Sequence, residues 1–154
     1  MGQMVKLEVL SSRQKVLLGI SLVLYAISLT QVGFSYVYQE QVQSIEGWLL
    51  VFMGGMSIAG GGLLEWVIWL ANPLYIFSII FALKNDKNAL STIGIAFLLA
   101  LDFLFWKEVL AAESGTMGPI TSRGVGYFLW LSSIFIWAAT LYMQNWKRIV
   151  AKLS

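Results

Sequence analysis

The chain alternates long apolar runs with short polar clusters. No charged residue falls in 16–39, 47–64, 66–83, 88–101 or 124–146. A bilayer core is matched by runs of about 18 or more apolar residues. One soluble core could hide one such run, but not four or five. The pattern predicts spanning helices over 16–34, 63–83, 89–109 and 127–143. Residues 35–46 read as a linker between the first two, with Glu40 and Glu46 and no basic residue.

The stretch 47–83 is too long for one span and is almost wholly apolar. Lysine and arginine placement decides how it divides, because loops on the cytoplasmic side are enriched in both. With one full span, at 63–83, Lys6, Arg13, Lys15, Lys84, Lys87, Lys147, Arg148 and Lys152 share one side, and only Lys107 and Arg123 lie on the other. With two spans the ten basic residues split five against five. The uneven split obeys the rule, so both termini are expected in the cytoplasm. Residues 47–62 are then an interfacial or re-entrant segment, or the first part of a long broken helix. The expected fold is all-α: an integral membrane bundle of four transmembrane helices plus one interfacial or re-entrant glycine-rich segment, in a single transmembrane domain over 1–154.

Composition agrees and narrows the chemistry. Hydrophobic residues make up 58% of the 154 residues and charged residues 12%, against about 25% charged in soluble domains. The net charge of +2 is too small to suggest nucleic acid as a partner. Without cysteine or histidine, the chain has no disulfides, no thiol chemistry and none of the usual zinc or haem ligands. Trp48, Trp66, Trp106 and Trp146 fall near expected interfaces, where amphipathic rings settle. Trp130 and Trp137 lie inside the last span and read as packing residues.

Three features stand out against this background. The first is a group of small residues. On a helix Gly54, Ser57 and Gly61 share a face, and Gly55 and Ala59 make a small-xxx-small pair suited to close helix packing. Gly60-Gly61-Gly62 reads as a helix break. The second is Asn72-Pro73, in the middle of the second span. Proline lacks an N–H and breaks or kinks a helix. Such breaks either mark sites in transporters or are simple kinks closed by Asn72 and neighbouring helices. The third is a pair of carboxylates, Glu65 and Asp102, with Lys107 and Arg123 as partners. Asp102 is placed about 20 Å into the third span, at 1.5 Å per residue. An ionised carboxylate at that depth is costly, so it should face the bundle interior and be either protonated or paired with Glu65, Lys107 or Arg123. The set forms either a structural polar cluster or a site for a proton, cation or small ligand.

Trp69-Leu-Ala-Asn-Pro-Leu74, after a glycine-rich stretch opened by Gly47-Trp48 and followed by Gly126-Tyr-Phe-Leu-Trp-Leu-Ser132, resembles a group of small bacterial four-helix membrane proteins. The resemblance implies four helices and a bacterial inner membrane, and it brings no assigned activity and no binding residues. The functional expectation is a non-enzymatic membrane component without a cofactor: a small structural, sensor or accessory subunit acting through helix contacts. Its partners are the lipid bilayer and either further copies of itself or another membrane protein. The alternative is a subunit of a small transporter or channel, with a polar site at Glu65/Asp102 and a helix break at Asn72-Pro73.

Overall fold

The computed structural model describes residues 10–112 and 114–153, with side chains described as far as Trp146. Lys6, Lys147, Arg148 and Lys152, on which the basic flanks partly rest, lie outside the described residues or side chains. In chain order the elements are α1 (Ser12–Leu29), β1 (Val32–Tyr38), β2 (Gln41–Glu46), α2 (Gly47–Gly54), a 3₁₀ turn (Ser57–Gly60), α3 (Leu63–Trp69), α4 (Ala71–Leu83), α5 (Asn88–Asp102), a second 3₁₀ turn (Phe103–Phe105), β3 (Glu108–Leu110), β4 (Met117–Arg123) and α6 (Val125–Leu153). Among the described residues four helical stretches are long and apolar enough to cross a membrane: Ser12–Leu29, Leu63–Leu83, Asn88–Phe105 and Val125–Trp146.

Local chemistry explains the helix ends. Ser11 caps α1 in a reciprocal box with Gln14: the Ser11 hydroxyl accepts from the Gln14 N–H, and the Gln14 side chain accepts from the Ser11 N–H. Such a box satisfies two of the donors every helix start leaves open. At the far end of α4, Asn85 adopts a left-handed backbone, φ +55°. The Asp86 N–H donates to Phe81 O and the Asn85 N–H to Ala82 O. That pair of bonds closes the helix C-terminus. Asp86 then accepts from the Asn88 N–H at 2.9 Å and starts α5.

The chain is not all-α. Both longer connections fold into strands, which form a four-stranded antiparallel sheet in the order β2-β1-β4-β3. Residues 30–34, expected to finish the first span, instead turn and begin β1. Residues 106–109, expected to finish the third, leave the helix and lead into β3. The sequence of β1, Val-Gly-Phe-Ser-Tyr-Val-Tyr, is rich in the β-branched and aromatic residues that suit a pleated, half-buried surface. Its hairpin with β2 turns on Gln39 and Glu40, at φ +50° and +63°, between the paired Tyr38 and Gln41. Two left-handed residues in a two-residue loop match the twist of the flanking strands. Phe34, Ser35 and Tyr36 then pair with Arg123, Ser122 and Ile120 of β4.

The β1–β4 pairing places both long connections at one end of the bundle. The α4–α5 turn sits at the other end, near the start of α1 and the last described turns of α6, where Gln14 donates to Gln144 at 2.5 Å. The interior divides along the same axis. One cluster gathers Ala71, Tyr75, Ile93, Ala96, Ala100, Ile134 and Trp137 between the helices. The other gathers Phe34, Phe103, Val109 and Tyr127 under the sheet.

Candidate functional site

The Asn72-Pro73 pair lies where α3 passes into α4. The helical ladder runs on through it: the Leu70 N–H donates to Trp66 O at 3.1 Å, and the Leu74 N–H to Leu70 O at 3.1 Å. The group left over is Trp69 O, whose usual donor would be the N–H that Pro73 lacks. Asn72 Nδ2 takes that place at 3.0 Å. Asn72 Oδ1 accepts from the Tyr25 hydroxyl at 2.9 Å and from the Trp130 indole at 2.9 Å. One buried amide thus closes the proline gap and joins α1, α4 and α6. Two more buried links continue along the axis. Ser21 Oγ bonds the Tyr75 hydroxyl and donates to Ser133 O, and the Trp137 indole donates to Ser78 Oγ. Among the described residues no buried side-chain polar atom lacks a partner.

The glycine-rich segment is not one continuous helix. Helix α2 stops at Gly54, a 3₁₀ turn follows, and Gly61 caps it with φ +89°. Gly54, Ser57 and Gly61 therefore do not share a helical face, and Ala59 is exposed. What approaches Gly54 and Gly55 is the Trp69 indole. A Cβ on Gly54 would lie 2.5 Å from Trp69 Cδ1, and one on Gly55 would lie 3.0 Å from Cζ2. The Trp69 N–H donates to Val51 O at 2.7 Å. Trp69 so pins α2 to α3. The sequence reading missed this partner, for which the two adjacent small residues were the only signal.

The expected polar cluster is divided. Asp102 does not face the interior: it is the last residue of α5, is exposed, and accepts from the Trp106 indole at 2.9 Å. Arg123 donates instead to Phe103 O and Trp106 O, with its guanidinium 5.8 Å from the centre of the Phe103 ring. Lys107 is exposed, and its backbone carbonyl accepts from the Ile120 N–H. Glu65 alone turns inward, and its Oε1 accepts from the Leu110 N–H at 2.8 Å. The four residues mostly tie helix ends to the sheet.

Between sheet and helices lies a cavity of about 140 Å³. Its walls come from the end of α1, from β1 and β3, from α2, α3, the start of α4 and the second 3₁₀ turn, and from the start of α6. Phe34, Phe103, Trp69, Trp106, Tyr127 and Trp130 supply aromatic surface, and Leu50, Val51 and Ile68 supply aliphatic surface. Glu65 is the single charged residue of the lining. Another hollow lies at the opposite end, beside Asn85, Asp86 and Lys87.

Fold and site together define a class: a helical bundle of membrane-spanning composition, capped at one end by a small antiparallel sheet, with an aromatic cavity beneath the cap. No protein-family model, curated protein or solved structure matches the chain.

Proposed function

We propose that the protein is a non-enzymatic component of a bacterial inner membrane, with both termini in the cytoplasm, serving as a small structural, sensor or accessory subunit through its helix faces. The observation that carries this reading is the closed centre of the bundle. Among the described residues the buried polar side chains are Gln14, Ser21, Ser28, Ser35, Asn72, Ser78, Ser133 and Thr140, none of them charged, and their hydrogen bonds are made within the protein. A conduction path along the bundle axis would need wet or chargeable groups there.

The test is functional and topological. Purified protein in liposomes should move no ions or small solutes by itself. Reporters fused at the C-terminus or within 85–88 should read as cytoplasmic, and those within 39–46 or 114–121 as external. Flux through the isolated protein, or a periplasm-active reporter at the C-terminus, overturns the proposal. The transporter alternative finds less support. Asn72 closes the proline gap, and Asp102 stands apart from the cavity-facing Glu65.

A further inference from the structure

We propose that the outer edge of β2 is a self-association surface, on which a second copy of this chain adds its own β2 and joins the two four-stranded sheets into one. This deepens the subunit role proposed above, and rests on it only in placing both copies in one membrane. The two edges of the sheet are built differently. At the β3 edge the strand has three residues, and the Leu110 N–H is taken by Glu65 Oε1 at 2.8 Å. A short edge covered by a side chain resists further pairing. At the other edge β2 has six residues and pairs with β1 alone among the described residues. Gln41, Val42, Gln43 and Ser44 are all exposed. Gln41–Glu46 holds no proline and no basic residue to guard the edge.

The hairpin fixes which backbone groups point outward. Its two-residue loop makes Tyr38 and Gln41 the closing hydrogen-bonded pair. Just beyond the other end of β2, the Gly47 N–H donates to Gln31 O at 2.8 Å. Hydrogen bonding alternates along an antiparallel strand, so the odd-numbered residues of β2 bond towards β1. Val42, Ser44 and Glu46 therefore direct their N–H and C=O groups outward.

These three positions are self-complementary. With a two-fold axis at Ser44, that residue lies opposite Ser44 of the second copy, and on either side Val42 of one copy lies opposite Glu46 of the other. Each outward donor then meets an acceptor. No two carboxylates are directly opposed, an arrangement that would be unfavourable. The membrane favours a second copy over a loose peptide. Copies inserted the same way hold their sheets at one height and on one side, and confinement to the bilayer raises their effective concentration.

The chain has no cysteine, so a single introduced thiol reports the register. Opposed residues of a hydrogen-bonded pair have Cα atoms about 5.5 Å apart, within the roughly 4.4–6.8 Å that a disulfide spans. Gln41 of the two copies would stand about 20 Å apart, at about 3.4 Å per residue. The experiment uses the full chain purified into phosphatidylethanolamine–phosphatidylglycerol liposomes, oxidised with copper phenanthroline and run on a non-reducing gel. Ser44→Cys should yield at least about ten times more covalent dimer than Gln41→Cys. Adding Val42→Pro to Ser44→Cys should lower the dimer about tenfold, because it removes an outward donor and no bond to β1. Equal dimer from the two cysteines overturns the proposal, as does dimer unaffected by the proline or no dimer from purified Ser44→Cys. If the proline variant fails to fold, the two single cysteines still decide. The reporters and the flux assay test the subunit role separately, so either reading can fail alone.

Discussion

The interior between the helices and the interior beneath the sheet are packed from different side chains. In the first, Ala96 and Ala100 on α5 and Ala71 on α4 are fully buried, beside Tyr75, Ile93, Ile134 and Trp137. Small residues let helices approach closely, and the large ones then fill what remains. In the second, aromatic rings meet one another: Phe34 and Phe103 at 5.2 Å, Phe103 and Tyr127 at 5.5 Å, Tyr127 and Trp130 at 6.1 Å. The sheet covers that end, and the rings leave a hollow. Rigidity and cavity are thus segregated along one axis, with the Asn72 junction between them.

Substitution of core aliphatics tests this contrast most directly. Ile93→Ala should cost roughly 4 kcal/mol and Leu50→Ala only about 1 kcal/mol, because Ile93 is enclosed on all sides while Leu50 already borders empty space. Denaturation in mixed dodecyl sulfate micelles measures both. Equal losses would mean that the sheet end is packed as tightly as the helical end.

The junction should come next. Asn72→Leu leaves Trp69 O, the Tyr25 hydroxyl and the Trp130 N–H without their partner, for a loss of roughly 3 kcal/mol in the same titration. A loss below about 1 kcal/mol would show that other groups or water close the proline gap. Gly54→Ala presses a methyl group against the Trp69 ring and should cost about 2 kcal/mol. Gly19→Ala, with nothing within 4 Å of the new Cβ, is the matched control and should be neutral or slightly stabilising. If the two variants behave alike, Trp69 is free to swing away and α2 is not pinned.

The smallest effect should be a gain. Gln39 and Glu40 hold left-handed backbones that Asn and Gly adopt more easily. Gln39→Asn with Glu40→Gly should raise stability by about 0.5–1 kcal/mol, provided the hairpin contributes to the measured transition. No change would mean that the sheet end unfolds before the helical end.

Much of the helical frame was legible because hydrophobic runs are local signals. The caps at Ser11 and at Asn85-Asp86 were not read, although each is written in adjacent residues. The sheet was not legible for equally physical reasons. The residues that turn the β1–β2 hairpin, Gln39 and Glu40, are not the usual pair for that turn. Pro119 in β4 lacks a ladder donor and argues against a strand, yet the ladder resumes at once with the Ile120 N–H bonded to Lys107 O. The pairing of β1 with β4 joins segments that no local pattern connects.

The candidate site shows the same divide. Asn72 as the group that satisfies its own proline kink was readable from two neighbouring letters. Asp102 was misplaced because its depth was counted along a span expected to reach residue 109, whereas α5 ends at Asp102 itself. The cavity needs walls from eight elements, so no stretch of sequence announces it.

The partners of β1 are made at very different times during synthesis. Its hairpin mate β2 leaves the ribosome almost at once, but β4 follows only after α2, α3, α4, α5 and β3. Until then β1 has one edge unpaired, and an exposed edge invites other strands. Pairings between distant segments also form slowly. The cap therefore closes only once β4 has been delivered, with α6, which packs along α1, following behind it. A nascent chain stalled before residue 117 carries a half-made sheet, the form of this protein most open to proteolysis and quality control.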